Sequence, residues 1–331
     1  MSTAGGQSVE PSRAITNLTF RPARPDELPT CAGIWRTAIN DYIIRLGQHE
    51  IPPEVAPVTR LFTHLQATDP DRFIVATTPA AESGREDRVV GFASAIERER
   101  LWYLSMLFVL PGFQGAGVGR ELLGRVLPNG DAQVRAIATD SAQPISNALY
   151  SSYGVVPRMP LLNLNGLPNR PDAFGALPSG MTPVAFETLA ADGSGGDGHR
   201  RLSEAVDGLD RDALGVAHPL DHRFLRSESR HGWLYLGPDG APLGYGYAGE
   251  AGRLGPIAVR DDSLIGPILG HLTTAVVPRG AFAVWIGGAA DRAVVAALGA
   301  GFRIDGFPVL LCWDRPFGDF SRYLPISPGL L

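Results

Sequence analysis

The sequence contains no lysine, so all 29 of its basic side chains are arginines. This absence excludes the phosphate loop of nucleoside triphosphatases, which requires a lysine after its last glycine. The arginines form no dense stripe, because clusters such as residues 223–230 mix both signs and the net charge is −5. A nucleic-acid-binding surface is therefore not predicted.

Cysteine is also scarce. The two cysteines, Cys31 and Cys312, stand in apolar surroundings without C-x-x-C spacing, which argues against a disulfide framework. The histidines at 218, 222 and 231 lack the spacing of metal ligands. We expect buried thiols and no metal.

Long apolar runs are missing as well, since none approaches the roughly 20 residues that span a bilayer. The first 14 residues lack a basic region and an apolar core, which predicts a disordered leader rather than a signal peptide. Hydrophobic residues make up 44% and charged residues 19% of a 331-residue chain. This composition predicts a cytoplasmic globular protein of about two domains that does not associate with a membrane.

The most informative stretch is residues 101–127, LWYLSMLFVLPGFQGAGVGRELLGRVL. An uncharged aromatic and aliphatic run predicts a buried strand, and Pro111 ends it. Three glycines in five positions then precede a helical pattern. A strand that leads into a glycine-rich loop and a helix directs free N–H groups towards one point. The stretch therefore predicts a binding site for a phosphate or pyrophosphate.

A dinucleotide-binding fingerprint fits this loop poorly. That fingerprint needs a third glycine three positions after Gly117, where Arg120 stands, and a βαβ unit that begins earlier in the chain. The pattern Gln114-x-x-Gly117-x-Gly119, after a strand that ends Leu-Phe-Val-x-Pro, resembles instead the coenzyme A loop of the GNAT superfamily of N-acyltransferases.

The resemblance implies an acyl-CoA co-substrate, acetyl-CoA or a longer ester, and no metal. Main-chain groups of the strand would hold the pantetheine and acetyl groups, and the loop would hold the pyrophosphate. The implied strand residues are Leu107, Phe108 and Val109, and the implied loop residues are Gln114, Gly115, Ala116, Gly117, Val118, Gly119 and Arg120.

The segment QPISNALYSSYG resembles the closing motif of the same superfamily, with Tyr150 in its usual place. Gln143 stands at the usual asparagine and Asn147 is displaced, so either residue can supply the polar contact to coenzyme A. The resemblance implies Tyr150 as general acid, since a phenol of pKa about 10 is protonated at neutral pH. Candidates for the base are Glu97, and Ser105 through a bound water.

The C-terminal half repeats the order of elements about 150 residues later, but Arg260-Asp261-Asp262 replaces the glycine-rich loop. Two carboxylates would repel a pyrophosphate. We therefore expect an α/β (α+β) fold of two tandem GNAT-like domains, similar in layout to the mycothiol synthase type, each a mostly antiparallel sheet flanked by helices. The expected segments are a leader at 1–14, an N-terminal domain at 15–156, a proline-rich linker at 157–182, a degenerate domain at 183–315 and a tail at 316–331.

The sequence thus predicts an N-acetyltransferase that acts on a primary amine of a small molecule or of an N-terminus, as a monomer or homodimer. Two alternatives stay open at this point. One is a non-catalytic module that binds or senses acyl-CoA, and the other is a structural protein with vestigial folds. The intact loop argues against the second alternative.

Overall fold

The computed structural model describes residues 17–79, 87–128, 133–192 and 196–331. The chain packs into two compact units. Unit 1 comprises Met1–Ile96 and Leu104–Asn129, and unit 2 comprises Glu97–Tyr103 and Gly130–Leu331. The domain boundary predicted near residue 156 was based on the repeat in the sequence. The two units are defined by packing, and they divide the chain at other positions. The predicted leader at residues 1–14 lies outside the described residues.

Unit 1 is built on an antiparallel sheet in which β1, β2, β3 and β4 are neighbours in that order. The rings of Phe62, Phe73 and Phe92 form the centre of its core, with centroids 5.1 to 5.8 Å apart. Its elements are β1 Thr19–Pro22, α1 Leu28–Ile43, α2 Ala56–Thr68, β2 Phe73–Thr78, β3 Arg88–Arg98, β4 Leu101–Val109 and α3 Val118–Val126. Strands β3 and β4 extend into unit 2 at the turn that joins them.

Unit 2 contains the remaining elements. They are β5 Val134–Asp140, α4 Pro144–Ser151, β6 Val156–Gly166, β7 Thr182–Ala185, α5 Phe186–Ala191, α6 Asp197–Ala213, α7 Pro219–Ser227, β8 Arg230–Leu236, β9 Pro242–Gly249, β10 Leu254–Val259, α8 Ile265–Ala275, β11 Phe282–Gly287, α9 Asp291–Ala300, β12 Arg303–Ile304, β13 Val309–Trp313 and β14 Tyr323–Leu324. One set of strands has the order β5-β13-β6-β11 and a second sheet has the order β14-β10-β9-β8-β7.

The order of elements repeats along the chain. Strands β7 to β10 follow one another as β1 to β4 do, and α8, β11 and α9 then correspond to α3, β5 and α4. The pairs β1–β2, β2–β3, β8–β9, β9–β10, β5–β13 and β6–β13 are antiparallel. The prediction of a duplicated, mostly antiparallel α/β architecture flanked by helices is confirmed.

The predicted linker at 157–182 differs from the observed structure in its first part, because β6 occupies Val156–Gly166. Its prolines hid the strand from sequence reasoning, since proline cannot donate to a sheet ladder. The sheet accommodates them with a register shift between Leu311 and Cys312 of β13, opposite Pro157. Strand β13 thereby lies between β5 and β6, two strands that precede it by more than a hundred residues.

Residues 316–331, predicted as a tail, dock within unit 2. Strand β14 pairs with β10, and Phe317, Phe320 and Leu330 are buried. The Phe320 ring stacks on Trp313 with centroids 5.8 Å apart. Cys31 and Cys312 are free, buried thiols, as predicted. Of the helices in the described ranges, none is both long enough and apolar enough to cross a membrane.

Candidate active site

The glycine-rich loop joins β4 to α3 in unit 1 through a short helical turn at Pro111–Phe113. Gly115 and Gly117 have φ values of 77° and 89°, in the left-handed region that favours glycine. The side chain of Gln114 donates from Nε2 to the carbonyl oxygen of Val109 at 2.9 Å, and so fastens the loop to the end of the strand. This contact braces the loop, and the assignment of Gln114 to the cofactor stays a prediction.

The loop presents free amides at the start of α3. The first backbone hydrogen bond of the helix runs from Glu121 N–H to Gly117 O at 3.1 Å. Within the described part of the chain, no acceptor is bonded to the main-chain N–H groups of residues 115–119. Gly115 and Gly117 are exposed, and a side chain at Gly115 would meet nothing within 4 Å. Unbonded amides at the positive end of a helix dipole are the groups that an anion requires, so the residues present fit a pyrophosphate.

The orientation of α3 is set by contacts on its inner face and at its end. Val118, Leu122 and Val126 are buried at helical spacing. Arg72 donates from Nη1 to the carbonyl oxygens of Val126 and Leu127, both at 3.1 Å. Arg72 thus caps the carbonyl end of α3, and the buried face fixes the helix within unit 1.

The strand residues named with the loop are only partly covered. Leu107 and Phe108 are half-buried in a strand that is otherwise buried along most of its length, and Ser105 is buried. On β3, a Cβ at Gly91 would lie 3.1 Å from the carbonyl oxygen of Phe108, so the two backbones approach closely here. Because glycine has no side chain, position 91 allows the backbones of β3 and β4 to approach this closely.

In the second half, a side chain of the chain itself caps the same connection. Asp261 accepts hydrogen bonds from Ser263 N–H at 2.9 Å and Ser263 Oγ at 2.5 Å, just before α8. These hydrogen bonds lower the pKa of the Asp261 carboxyl and keep it charged. The Asp261 carboxylate therefore accepts hydrogen bonds at this helix start. In unit 1, the amides of residues 115–119 have no such acceptor among the described residues.

The residues of the closing motif lie in unit 2 on α4, whose N-cap is Gln143. The Asn147 amide donates from Nδ2 to the carbonyl oxygens of Asp140 and Gln143, at 3.1 and 2.8 Å. Its Oδ1 is buried and accepts no hydrogen bond from the described residues. Asn147 thus closes the turn between β5 and α4, and leaves one acceptor atom unused. Gln143 has a half-buried side chain.

Tyr150 is 6% exposed near the end of α4. Burial raises the pKa of its phenol above the ordinary value of 10, so the hydroxyl stays protonated at neutral and moderately alkaline pH. Glu97 is half-buried on β3, in the part of the strand that belongs to unit 2, and its carbonyl oxygen accepts from Arg98 Nη1 at 2.8 Å. The structure thus places Glu97, Gln143, Asn147 and Tyr150 in unit 2, and the other predicted site residues in unit 1.

Sequence reasoning missed a buried polar cluster in unit 2. Asp210, His218 and His222 bring one ligand-type atom each within 4.8 Å of the others. The two histidines stand four positions apart, and Asp210 comes from a separate helix, α6. The Asp210 carboxylate is 0% exposed, and its Oδ2 lies 2.8 Å from His222 Nε2 and 3.3 Å from His218 Nε2.

Tyrosines complete the cluster. Tyr245 donates to Asp210 Oδ1 at 2.5 Å, and the Tyr247 hydroxyl lies 3.0 Å from His222 Nδ1. The two imidazoles stack with centroids 4.3 Å apart and planes at 23°. Because both Nε2 atoms meet the carboxylate oxygen itself, the donors and acceptors largely satisfy one another as a hydrogen-bond network. The HPLDH segment at 218–222 and the alternating tyrosines of β9 were the available sequence signals.

Comparison with known proteins agrees with this architecture. A family model described as an acetyltransferase (GNAT) domain matches residues 75–169, a range that includes the loop and Tyr150. None of the curated proteins matches the sequence.

Several solved structures share the fold. A candidate acetyltransferase from Pyrococcus horikoshii has a TM-score of 0.71 at 15% identity, with 100% of both chains covered. A GCN5-related N-acetyltransferase from Sphaerobacter thermophilus has a TM-score of 0.58 at 15% identity, covering 92% of this chain and 98% of that one. A tandem GNAT protein from the clavulanic acid biosynthesis pathway has a TM-score of 0.50 at 16% identity, covering 90% and 99%. At this identity the likeness shows the fold.

Proposed function

We propose, from the premise that residues 75–169 form a GNAT acetyltransferase domain, that the chain transfers the acyl group of an acyl-CoA, most simply acetyl-CoA, to a primary amine. One observation carries the proposal. The amides of residues 115–119 have no acceptor within the described chain, while the corresponding helix start near Asp261 is capped by its own carboxylate. Only the first arrangement suits a pyrophosphate.

Acetyl-CoA supplies an activated thioester, and the chain supplies position and proton transfer. In the proposal, the loop amides hold the pyrophosphate and main-chain groups of Leu107 to Val109 orient the pantetheine arm and polarise the carbonyl. The acceptor amine must be neutral to attack, so Glu97, or a water held by Ser105, takes its proton. Tyr150 gives its phenolic proton to the departing sulfur, and the acceptor leaves as an amide.

The protonation state of Tyr150 supports its role. Since burial raises the pKa of this phenol, the hydroxyl carries the proton that a general acid must donate. Gln143 and Asn147 are proposed as the polar contacts of the closing motif. The unused Oδ1 of Asn147 can accept a hydrogen bond from an amide or hydroxyl group of a coenzyme A molecule that lies beside α4.

The first test is thermal denaturation with acetyl-CoA, longer acyl-CoA esters and an unrelated dinucleotide. At about a hundredfold excess over Kd, acetyl-CoA should raise Tm by about 5 °C, and the dinucleotide should leave Tm unchanged. An amine panel assayed for free thiol then identifies the acceptor. The variant Tyr150→Phe should lower kcat by about a hundredfold and keep the acetyl-CoA shift.

Each outcome discriminates between functions. An unchanged Tm with every acyl-CoA contradicts the proposal, because it shows that the protein does not bind the acyl donor. A Tm shift without thiol release from any amine favours a binding or sensing module. Full turnover by Tyr150→Phe removes Tyr150 as the acid but leaves the acyltransferase assignment intact.

A further inference from the structure

The turn between β3 and β4 is anchored to other parts of unit 2. We use the name β3–β4 turn for residues 97–103, which are the turn itself and the strand ends beside it. Its tip is strained, because Glu99 is a non-glycine residue with φ of 49°. Arg211 of α6 donates to the Glu99 carboxylate at 2.8 Å, and Tyr103 donates to the carbonyl oxygen of Pro328 at 2.5 Å. Arg100 donates to the carbonyl oxygen of Phe317 at 3.0 Å. The turn conformation therefore depends on segments that follow it by more than a hundred residues.

The strongest of these anchors is buried. Arg98 makes a two-point contact with Asp221 of α7, from Nε to Oδ2 and from Nη2 to Oδ1, both at 2.8 Å. The two side chains are 5% and 2% exposed. The third nitrogen, Nη1, donates to the carbonyl oxygen of Glu97 at 2.8 Å. One guanidinium thus connects α7 to the backbone of the predicted base.

Asp221 is itself part of a larger charge network. His218 lies between two carboxylates, with Nδ1 at 3.7 Å from Asp221 Oδ2 and Nε2 at 3.3 Å from Asp210 Oδ2. The network therefore places the two carboxylates, Arg98 and the His218 ring in one buried cluster. Asp210 is further held by His222 and Tyr245.

A buried ion pair adds little net stability, because desolvation offsets much of its attraction. Its two-point geometry nevertheless permits only one relative position of the groups it joins. We infer that the Arg98–Asp221 pair, backed by His218 and Asp210, fixes the β3–β4 turn, and that Arg98 and Asp221 are positioning residues for Glu97. The part that concerns Glu97 rests on the proposed function, whereas the fixing of the turn does not.

The test uses the full chain with Asp221→Asn, which keeps the shape of the side chain and removes its charge. Hydrogen exchange measured by mass spectrometry should show the peptide over residues 97–103 exchanging about tenfold faster. The value of kcat should fall by about a hundredfold, as expected when a catalytic group moves by about 1 Å. KM for acetyl-CoA and exchange at residues 114–120 should stay within about twofold of wild type.

The matched control is Asp314→Asn. Asp314 pairs with Arg135 at 3.0 Å in the same unit, and among the described residues none of its hydrogen bonds or ion pairs goes to the turn. This variant should leave exchange at 97–103 and kcat unchanged. If Asp221→Asn does not fold, the double variant Arg98→Gln with Asp221→Asn removes both charges and is judged by the same criteria.

The outcomes separate the two proposals. Unchanged exchange at 97–103 in a folded Asp221 variant overturns the inference. Faster exchange with normal kcat in an active enzyme overturns the positioning of Glu97. Faster exchange in a protein that never releases thiol supports the fixing of the turn and contradicts the proposed function instead.

Discussion

His218 is a buried residue of unit 2 whose charge state affects stability. It is 2% exposed, and the facing carboxylates hold its pKa above the ordinary value of 6.5. The desolvation of the ring acts in the opposite direction and is outweighed. The titratable and charged groups that face it are Asp210, Asp221, Arg98, His222 and Tyr323.

A raised pKa in the folded state fixes the sign of the pH dependence. The contribution of His218 to the free energy of unfolding is complete below pH 6.5 and is lost as pH rises through the folded-state pKa. Loss of that proton leaves two buried carboxylates against Arg98 alone. We predict that the free energy of unfolding falls above pH 6.5 by up to about 1.4 kcal/mol per pH unit.

The variant His218→Gln should abolish this alkaline decline in urea unfolding measured between pH 6 and 9. His222 serves as the internal contrast, because burial lowers its pKa and its contribution is lost as pH falls below 6.5. His222→Gln should therefore leave the alkaline decline in place. An alkaline decline that persists in His218→Gln would show that another group controls it.

Sequence reasoning could not find this network at the level of residues. His218, Asp221 and His222 stand three and one positions apart, which matches one turn of α7, but Asp210, Tyr245 and Arg98 come from other elements. Periodicity predicts which face of an element is buried, and it carries no information about which polar groups meet there. The loop residues, in contrast, are contiguous, so their local pattern alone suggests a phosphate-binding loop.

At the scale of elements, the loop and α3 offer a matched pair of glycine substitutions. Gly117 has φ of 89° at the helix start, while Gly124 is an exposed position inside the helix with open space around it. Gly117→Ala should cost about 1 kcal/mol of stability, since an L residue is strained in this region, and should displace the amides. Gly124→Ala should add about 0.5 to 1 kcal/mol through helix propensity.

Acetyl-CoA affinity separates these effects. Calorimetric titration should give a Kd about tenfold weaker for Gly117→Ala, because a change of about 1.4 kcal/mol in binding is tenfold. Gly124→Ala should bind as wild type does. Equal affinities for both variants would mean that the conformation at Gly117 does not serve the ligand.

The elements themselves followed largely from the sequence. The uncharged run predicted β4, and the helical pattern after the glycines predicted α3. Strand β6 was missed because Pro157 and Pro160 indicate a linker, and β13 was missed because nothing local marks a strand that inserts between distant partners. Pairing between strands far apart in sequence is decided by tertiary packing.

At the scale of the whole molecule, the position of β13 makes the two halves of the chain interdependent. Strand β13 comes from the C-terminal half, yet it pairs with β5 on one side and β6 on the other. Leu311 and Cys312 on this strand are 0% and 1% exposed. A chain that ends at residue 182 would leave the edges of β5 and β6 unpaired, and unpaired strand edges promote aggregation.

We predict that a fragment of residues 1–182 does not form a stable monomer, although it contains every residue assigned to coenzyme A. Its free energy of unfolding should fall by more than about 5 kcal/mol, which is comparable to the whole stability of a domain. Size-exclusion chromatography and thermal denaturation with acetyl-CoA measure this loss. Co-expression with residues 183–331 should restore a folded complex and the acetyl-CoA shift, because β13 is then supplied in trans.

A fragment of residues 1–315 is the control, since it keeps β13 and lacks the segment that carries β14. It should fold and bind acetyl-CoA, and it should show faster exchange at residues 97–103 because Tyr103 and Arg100 lose their acceptors at Pro328 and Phe317. A stable, acetyl-CoA-binding monomer from residues 1–182 alone would contradict the prediction. In that case β5 and β6 would have to close on each other without β13, and the second half would be an appendage rather than part of the fold.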